Sequence, residues 1–271
     1  MFSRIFVFVI GLVAGSTVFG QKQAIDHKAY FRWNKLEKVK LSNQGSWLTF
    51  EVQPLRGDGY LHWNNLSLGT RDSMYAAKDL QMTESGSLMA WRRTAGYDTL
   101  RTCELNKLDK KKWPKDTMVV YNSIKDTLRK EPQVKRFQVA ESAEILAFLK
   151  EQNDKPQASV VEAPKKCWLH KKKKPTDQVK EIKSDGTTLV LENWDSRLFR
   201  VNNTTDFLLS RQGNLAYITQ EKGKRDTSSL WVLTPDALLP IEVLHQQLSI
   251  KNLQWNKEGT FLAFLYSSDT N

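Results

Sequence analysis

Five copies of one glycine-pivoted hairpin motif, recurring in fixed order along the chain, predict an all-β fold: an incomplete β-propeller of about five four-stranded blades, the last truncated. Two further observations point the same way. A second strand-like segment follows most copies, and the pivots are spaced at 41, 57, 70 and 46 residues. Two of those intervals fit one blade of roughly 40–50 residues, and two carry inserts.

The clearest copies are Val39–Phe50 and Leu80–Trp91, with Phe207–Tyr217 and Leu253–Phe264 keeping the same order. Gly45, Gly86, Gly213 and Gly259 sit where a tight hairpin needs positive φ, which glycine adopts without a Cβ clash. Three positions earlier stand Ser42, Thr83, Ser210 and Asn256, short polar side chains suited to hydrogen-bonding the turn backbone. After each glycine, apolar residues return at alternate positions, as a half-buried strand requires. The copy at Phe137–Phe148 has Ala143 at the pivot and is the degenerate one. The outer strands of each blade are expected at Gly59–Leu66, Asp98–Leu105, Thr188–Trp194 and Ser229–Leu233, with another at Met118–Tyr121. Sandwiches and barrels also alternate strands with glycine turns, but neither has reason to repeat one motif in register.

With 40% hydrophobic residues in 271, the chain has enough apolar material to bury a core. Residues 1–20 read as a signal peptide: Arg4, then the uncharged apolar stretch Ile5–Ala14, then small residues up to Gly20. That stretch is short for a bilayer span, so an uncleaved anchor is the lesser reading and an exported protein, periplasmic or extracellular, the expected one. Residues 21–271 form the partial propeller. Within it, Glu151 to about Lys183 is rich in Lys, Gln, Asp and Pro and is expected to be a mobile insert.

The formal charge of +11 is concentrated in Lys110–Lys112, Lys165–Lys166 and Lys171–Lys174. Such runs bind nucleic acid in some proteins, yet no nucleic-acid-binding motif accompanies them, and solvated segments are the plainer reading. Cys103 and Cys167 match no zinc spacing, and whether they pair is left open by the sequence.

The start Ala24–Trp33, followed by Leu41–Gly45 and Arg56–Leu61, resembles the N-terminal region of exported bacterial serine peptidases of the prolyl oligopeptidase family. Trp113–Met118, the Asn122–Asp126 turn and the Lys-rich insert before Leu189 are similar to that family's early blades. The resemblance implies a substrate-gating, non-catalytic propeller whose partners are a C-terminal α/β-hydrolase domain and short peptides. It implies a Ser-Asp-His triad on that hydrolase domain, which is absent from these residues.

No catalytic, cofactor-binding or metal-binding residue is assigned in this chain. No G-x-S-x-G elbow occurs, the strained turn that would expose a nucleophilic serine. His27, His62, His170 and His245 lack a neighbouring nucleophile motif, and Asp58 in Gly57-Asp-Gly59 reads as a turn former. Trp47, Trp91 and Trp255 read as packing between blades. The alternative to a peptidase portion is a stand-alone periplasmic propeller acting as a protein-binding module.

Overall fold

The computed structural model describes residues 26–151, 187–194, 196–221, 227–237, 239–246 and 249–267. The segment expected to be a signal peptide (1–20) and the Lys-rich insert, apart from Glu151, lie outside the described residues. A short helix α1 (Ala29–Arg32) leads into an all-antiparallel series of strands. The first sheet is β1 (Asn34–Leu41), β2 (Trp47–Pro54), β3 (Tyr60–Asn65) and β4 (Thr70–Tyr75), in that spatial order. The second is β5 (Ala77–Met82), β6 (Leu88–Arg93), β7 (Thr117–Asn122) and β8 (Thr127–Pro132). The third and fourth share a strand: β9 (Val134–Val139), β10 (Leu146–Lys150), β11 (Thr187–Glu192), β12 (Arg197–Leu209), β13 (Leu215–Glu221), β14 (Thr227–Leu233) and β15 (Ile241–Gln246). The fifth has two strands among the described residues, β16 (Ser249–Trp255) and β17 (Leu262–Ser267).

First strands of successive sheets approach one another, β5 with β9, β9 with β12 and β12 with β16. Meandering sheets whose first strands gather while their last strands splay outward are the blades of a propeller. At the first three passages between blades the chain turns through a single left-handed residue. Ala76 (φ 54) separates β4 from β5, and Gln133 (φ 61) separates β8 from β9. At the third passage Asn203 (φ 58) bends β12 without ending it, so Val201 pairs with Leu189 of β11 while Phe207 pairs with Tyr217 of β13.

Each hairpin turn is built as its sequence requires. The amides of Trp47, Leu88 and Asn214 donate to Ser42 Oγ, Thr83 Oγ1 and Ser210 Oγ at 3.0, 3.2 and 2.9 Å. Asn256 Oδ1 accepts from Thr260 and Phe261. The pivots Gly45, Gly86, Gly213 and Gly259 all have positive φ, whereas Ala143 does not, and its turn follows another path. The residue whose carbonyl closes each turn is Trp47, Leu88, Ile145, Asn214 or Phe261; the fourth turn is one residue shorter than the rest.

Those closing residues make the joint to the next blade. A Cβ on Gly86 would lie 2.4 Å from the Trp47 ring, and one on Gly213 would lie 2.8 Å from Ile145 Cδ1. Asn214 Nδ2 donates to Gly259 O at 2.9 Å. Gly86 and Gly213 are therefore needed twice, for their φ and for the neighbour resting on them. Below the joints lie continuous apolar layers. Trp47, Leu61 and Trp63 of the first blade meet Met89, Trp91, Val119 and Tyr121 of the second, with the Trp63 and Trp91 rings 4.7 Å apart. Leu88 and Val120 meet Phe137 and Phe148, and Ile145 and Leu189 meet Phe207 and Tyr217. Trp47 and Trp91 thus pack between blades, and Trp255 is half-buried with its Nε1 donating to Leu208 O.

An ion pair also crosses the second joint. Glu192 of β11, 2% exposed, is held by Arg129 of β8, whose guanidinium lies over the Trp194 ring. Glu131 sits 3.7 Å from the same Arg129 and 3.4 Å from Lys150.

One expected strand is a helix. Asp98–Leu105 lies in α2 (Tyr97–Leu105), inserted between β6 and β7. Its entry is fixed from a distance: Asp58 Oδ2 accepts the Tyr97 amide at 2.7 Å and the Tyr75 hydroxyl at 2.6 Å, which places a carboxylate at the helix N-terminus. Thr102 Oγ1 bonding back to Asp98 O and the Arg101–Glu104 pair support the turn spacing. The place beside β6 goes instead to Met118-Val-Val-Tyr121, buried throughout and rich in β-branched residues.

Two substitutions separate these effects. Gly45 and Gly86 have similar φ, 69 and 74, but a Cβ on Gly45 meets nothing within 4 Å. Gly45→Ala should cost about 1 kcal/mol of unfolding free energy in urea, the left-handed penalty alone. Gly86→Ala should cost a further ~1–3 kcal/mol, because the Trp47 ring must move. Arg129→Ala, which removes the guanidinium facing the buried Glu192, should lower the unfolding free energy, and adding Glu192→Leu should recover part of the loss.

Candidate functional site

The hairpin turns converge at one end of the axis. Asn43 N donates to Glu84 O at 2.9 Å, Glu84 N to Glu141 O at 2.7 Å, and Ser142 N to Arg211 O at 2.9 Å. Gln212 Nε2 continues the series to Lys257 O at 3.4 Å. Turns set at similar heights bring these groups within reach of one another, so neighbouring turns bond edge to edge.

A charged cluster stands on this collar. The Glu84 carboxylate accepts from Arg211 Nε at 2.8 Å, from Arg211 Nη2 and from Ser142 Oγ at 3.1 Å. Arg211 also faces Glu141 at 3.4 Å. Hydrogen bonds from Arg211 and Ser142 hold the Glu84 carboxyl below its ordinary value, and Glu84 in turn raises Arg211. Glu141 is 62% exposed, so the collar presents one carboxylate outward beside a guanidinium already engaged.

A second tier lies at the residue preceding each copy of the motif: Lys38, Asp79, Arg136, Asp206 and Asn252. The signs alternate through the first four, and neighbours pair. Lys38 Nζ lies 2.5 Å from Asp79 and 3.3 Å from Glu51, and Arg136 lies 2.5 Å from Asp206. Asp79 also meets Arg92 at 3.7 Å, and Arg92 meets Asp116 at 3.3 Å. Lys38, Asp79 and Asn252 have positive φ at a register shift of the first strand, which turns these side chains out of the regular alternation. Partial burial acts to raise the Asp79 pKa, but the hydrogen bond and charge of Lys38 prevail and lower it.

The residues singled out from sequence are scattered. His62 stacks on Phe50 at 4.8 Å, and His27 lies 6.4 Å from the Tyr30 ring. His245 is on β15, where Nδ1 meets Ser229 Oγ at 2.6 Å and Glu242 at 3.2 Å. Serine and carboxylate share one ring nitrogen there, whereas a nucleophile relay needs them on opposite nitrogens. Asp58 fixes α2, and Cys103 is buried on that helix as a free thiol. Lys110–Lys112 form an exposed 3₁₀ turn. His170, Cys167, Lys165–Lys166 and Lys171–Lys174 lie outside the described residues. Among the described residues no three His, Cys, Asp or Glu side chains converge as a metal site.

No family model matches the chain, and no curated protein matches it by sequence. Among solved structures it is similar to the β-propeller domain of the Trilobed protease from Pyrococcus furiosus, with 8% identity and a TM-score of 0.45, over 79% of this chain and 58% of that one. Pyrococcus horikoshii acylaminoacyl peptidase matches with 8% identity and a TM-score of 0.44, over 82% of this chain and 34% of that one. An oligogalacturonate lyase in complex with manganese matches with 11% identity and a TM-score of 0.45, over 83% of this chain and 56% of that one. The chain spans less than two thirds of the length of each.

The collar makes a pH prediction. Glu84 is depressed in the folded state, so its stabilising contribution is complete above the ordinary glutamate range and is lost as pH falls through its folded value. Melting temperature followed from pH 7 to pH 3 should fall in the acid limb, and Glu84→Gln should lower the pH 7 value and shallow that fall. An unchanged acid limb in Glu84→Gln would show that the pair contributes nothing.

Proposed function

We propose that this chain is the substrate-gating, non-catalytic propeller portion of an exported serine peptidase that hydrolyses short peptides. The observation that carries the reading is the ordered set of segments resembling the prolyl oligopeptidase family, from Ala24–Trp33 through the early blades. The blade architecture is the one such a role requires. The collar of turns with Glu84, Glu141 and Arg211 at its rim supplies a charged, water-facing entrance that would admit an extended peptide and turn away a folded chain. Chemistry then resides on the partner hydrolase domain, because the only serine–histidine contact described here lacks the relay arrangement. Signal-peptide cleavage near Gly20 would deliver the protein outside the cytoplasm.

The coding DNA beyond the Asn271 codon tests this directly. It should continue in frame into an α/β-hydrolase domain containing G-x-S-x-G. A stop codon with no such sequence downstream would sink the peptidase reading and leave a binding module.

A further inference from the structure

β6 leaves the collar at Leu88, so the insert that follows Arg93 lies at the opposite end of the axis. It carries α2 and then Lys107, Lys110, Lys111 and Lys112, all exposed and none with an ion-pair partner among the described residues. Asp109 is the only carboxylate between Leu105 and Trp113, and its Oδ1 accepts the Lys111 amide at 3.0 Å. The lysines are ordered by this turn, with Lys112 N donating to Asp109 O at 2.8 Å and Trp113 N to Lys110 O at 3.2 Å. Trp113 Nε1 donates to Leu108 O at 3.0 Å and ties the turn to the end of α2.

Two features set the insert apart from a solvated lysine run. First, α2 ends in a Schellman turn, Leu108 N donating to Cys103 O and Lys107 N to Glu104 O, both at 3.0 Å. The residue at its left-handed position is Lys107, φ 50, where glycine would sit without strain. A cation therefore stands where conformation alone favours another residue, the kind of local cost that is kept at contact sites. Second, Leu105 and Leu108 lie among the lysines and are 65% and 42% exposed. The segment 152–186 holds nine lysines against five carboxylates, so its composition supplies no countercharge.

We infer that this insert docks on an anionic lipid surface, with Leu105 and Leu108 at the boundary of headgroups and acyl chains and Lys107 and Lys110–Lys112 among the headgroups. Nucleic acid would satisfy the lysines and leave both leucines in water. The attachment is peripheral, since no helix among the described residues is long and apolar enough to cross a membrane. It leaves the collar pointing away from the bilayer. The inference rests on this insert and is independent of the peptidase reading.

Co-sedimentation of the full 271-residue chain with vesicles of phosphatidylcholine, alone or mixed with phosphatidylglycerol, tests it. The apolar stretch Ile5–Ala14 is common to every arm, so the comparisons isolate the insert. Binding to the mixed vesicles should be tighter by on the order of 100-fold. Lys110→Gln, Lys111→Gln and Lys112→Gln combined should weaken it ~30-fold or more. Leu105→Ser with Leu108→Ser should weaken it ~10-fold or more at unchanged charge. Lys107→Gly should weaken it ~3-fold or more while raising the melting temperature, because glycine relieves the left-handed strain. All six positions are exposed, and matching circular dichroism spectra will show that the variants are folded. Equal binding to both vesicle types, or unchanged binding in either the lysine or the leucine variant, would overturn the proposal. A DNA duplex bound as tightly as the mixed vesicles, with the lysine variant impaired and the leucine variant not, would overturn it in favour of nucleic acid.

Discussion

The contact between a turn glycine and the side chain that the preceding sheet lays on it governs how this protein is put together. A glycine pivot lets the hairpin reverse in few atoms, and the missing Cβ leaves a shallow recess on the side facing the previous blade. Trp47 and Ile145 use that recess, and the turns come close enough for Asn43 and Glu84 to donate backbone hydrogen bonds across to the next blade. One local feature therefore sets the separation of sheets, the level of their turns and the position of the collar.

Charge works on a different scale. The Lys38–Asp79 and Arg136–Asp206 pairs tie neighbouring first strands together, but these side chains are half-exposed and each pair alone contributes little. Their value is in register, since a blade slipped by one position would set a buried Glu192 or the Glu84 carboxylate against the wrong partner. The Arg129–Glu192 contact is the expensive exception, a nearly buried carboxylate that the guanidinium helps to hold in place.

Much of this architecture was legible because it repeats. Polar residue, glycine and alternating strand identified four of the hairpins and the strand pattern alone the fifth at Phe137–Phe148, and the expected bonds to Ser42, Thr83, Ser210 and Asn256 are present. The α2 segment was misread because Thr99 to Leu105 mixes β-favouring and helix-favouring residues, and the deciding group, Asp58, lies 39 residues before Tyr97. The charged tiers were missed for another reason. Alternation at Lys38, Asp79, Arg136 and Asp206 is visible once the copies are aligned, but the pairing depends on bulges that period-two counting does not reveal. The collar needed the fold itself, since Glu84 and Arg211 are 127 residues apart.

The strand that serves two blades carries a consequence for how the molecule comes apart. A linear array of repeats is ordinarily described by one energy for each unit and one for each boundary, so that units can melt from the ends inward. Where β12 runs unbroken from the ladder of β11 into that of β13, the third and fourth blades have no such boundary. Pulling out either would strip hydrogen bonds from the other, and the smallest piece that can unravel there spans both.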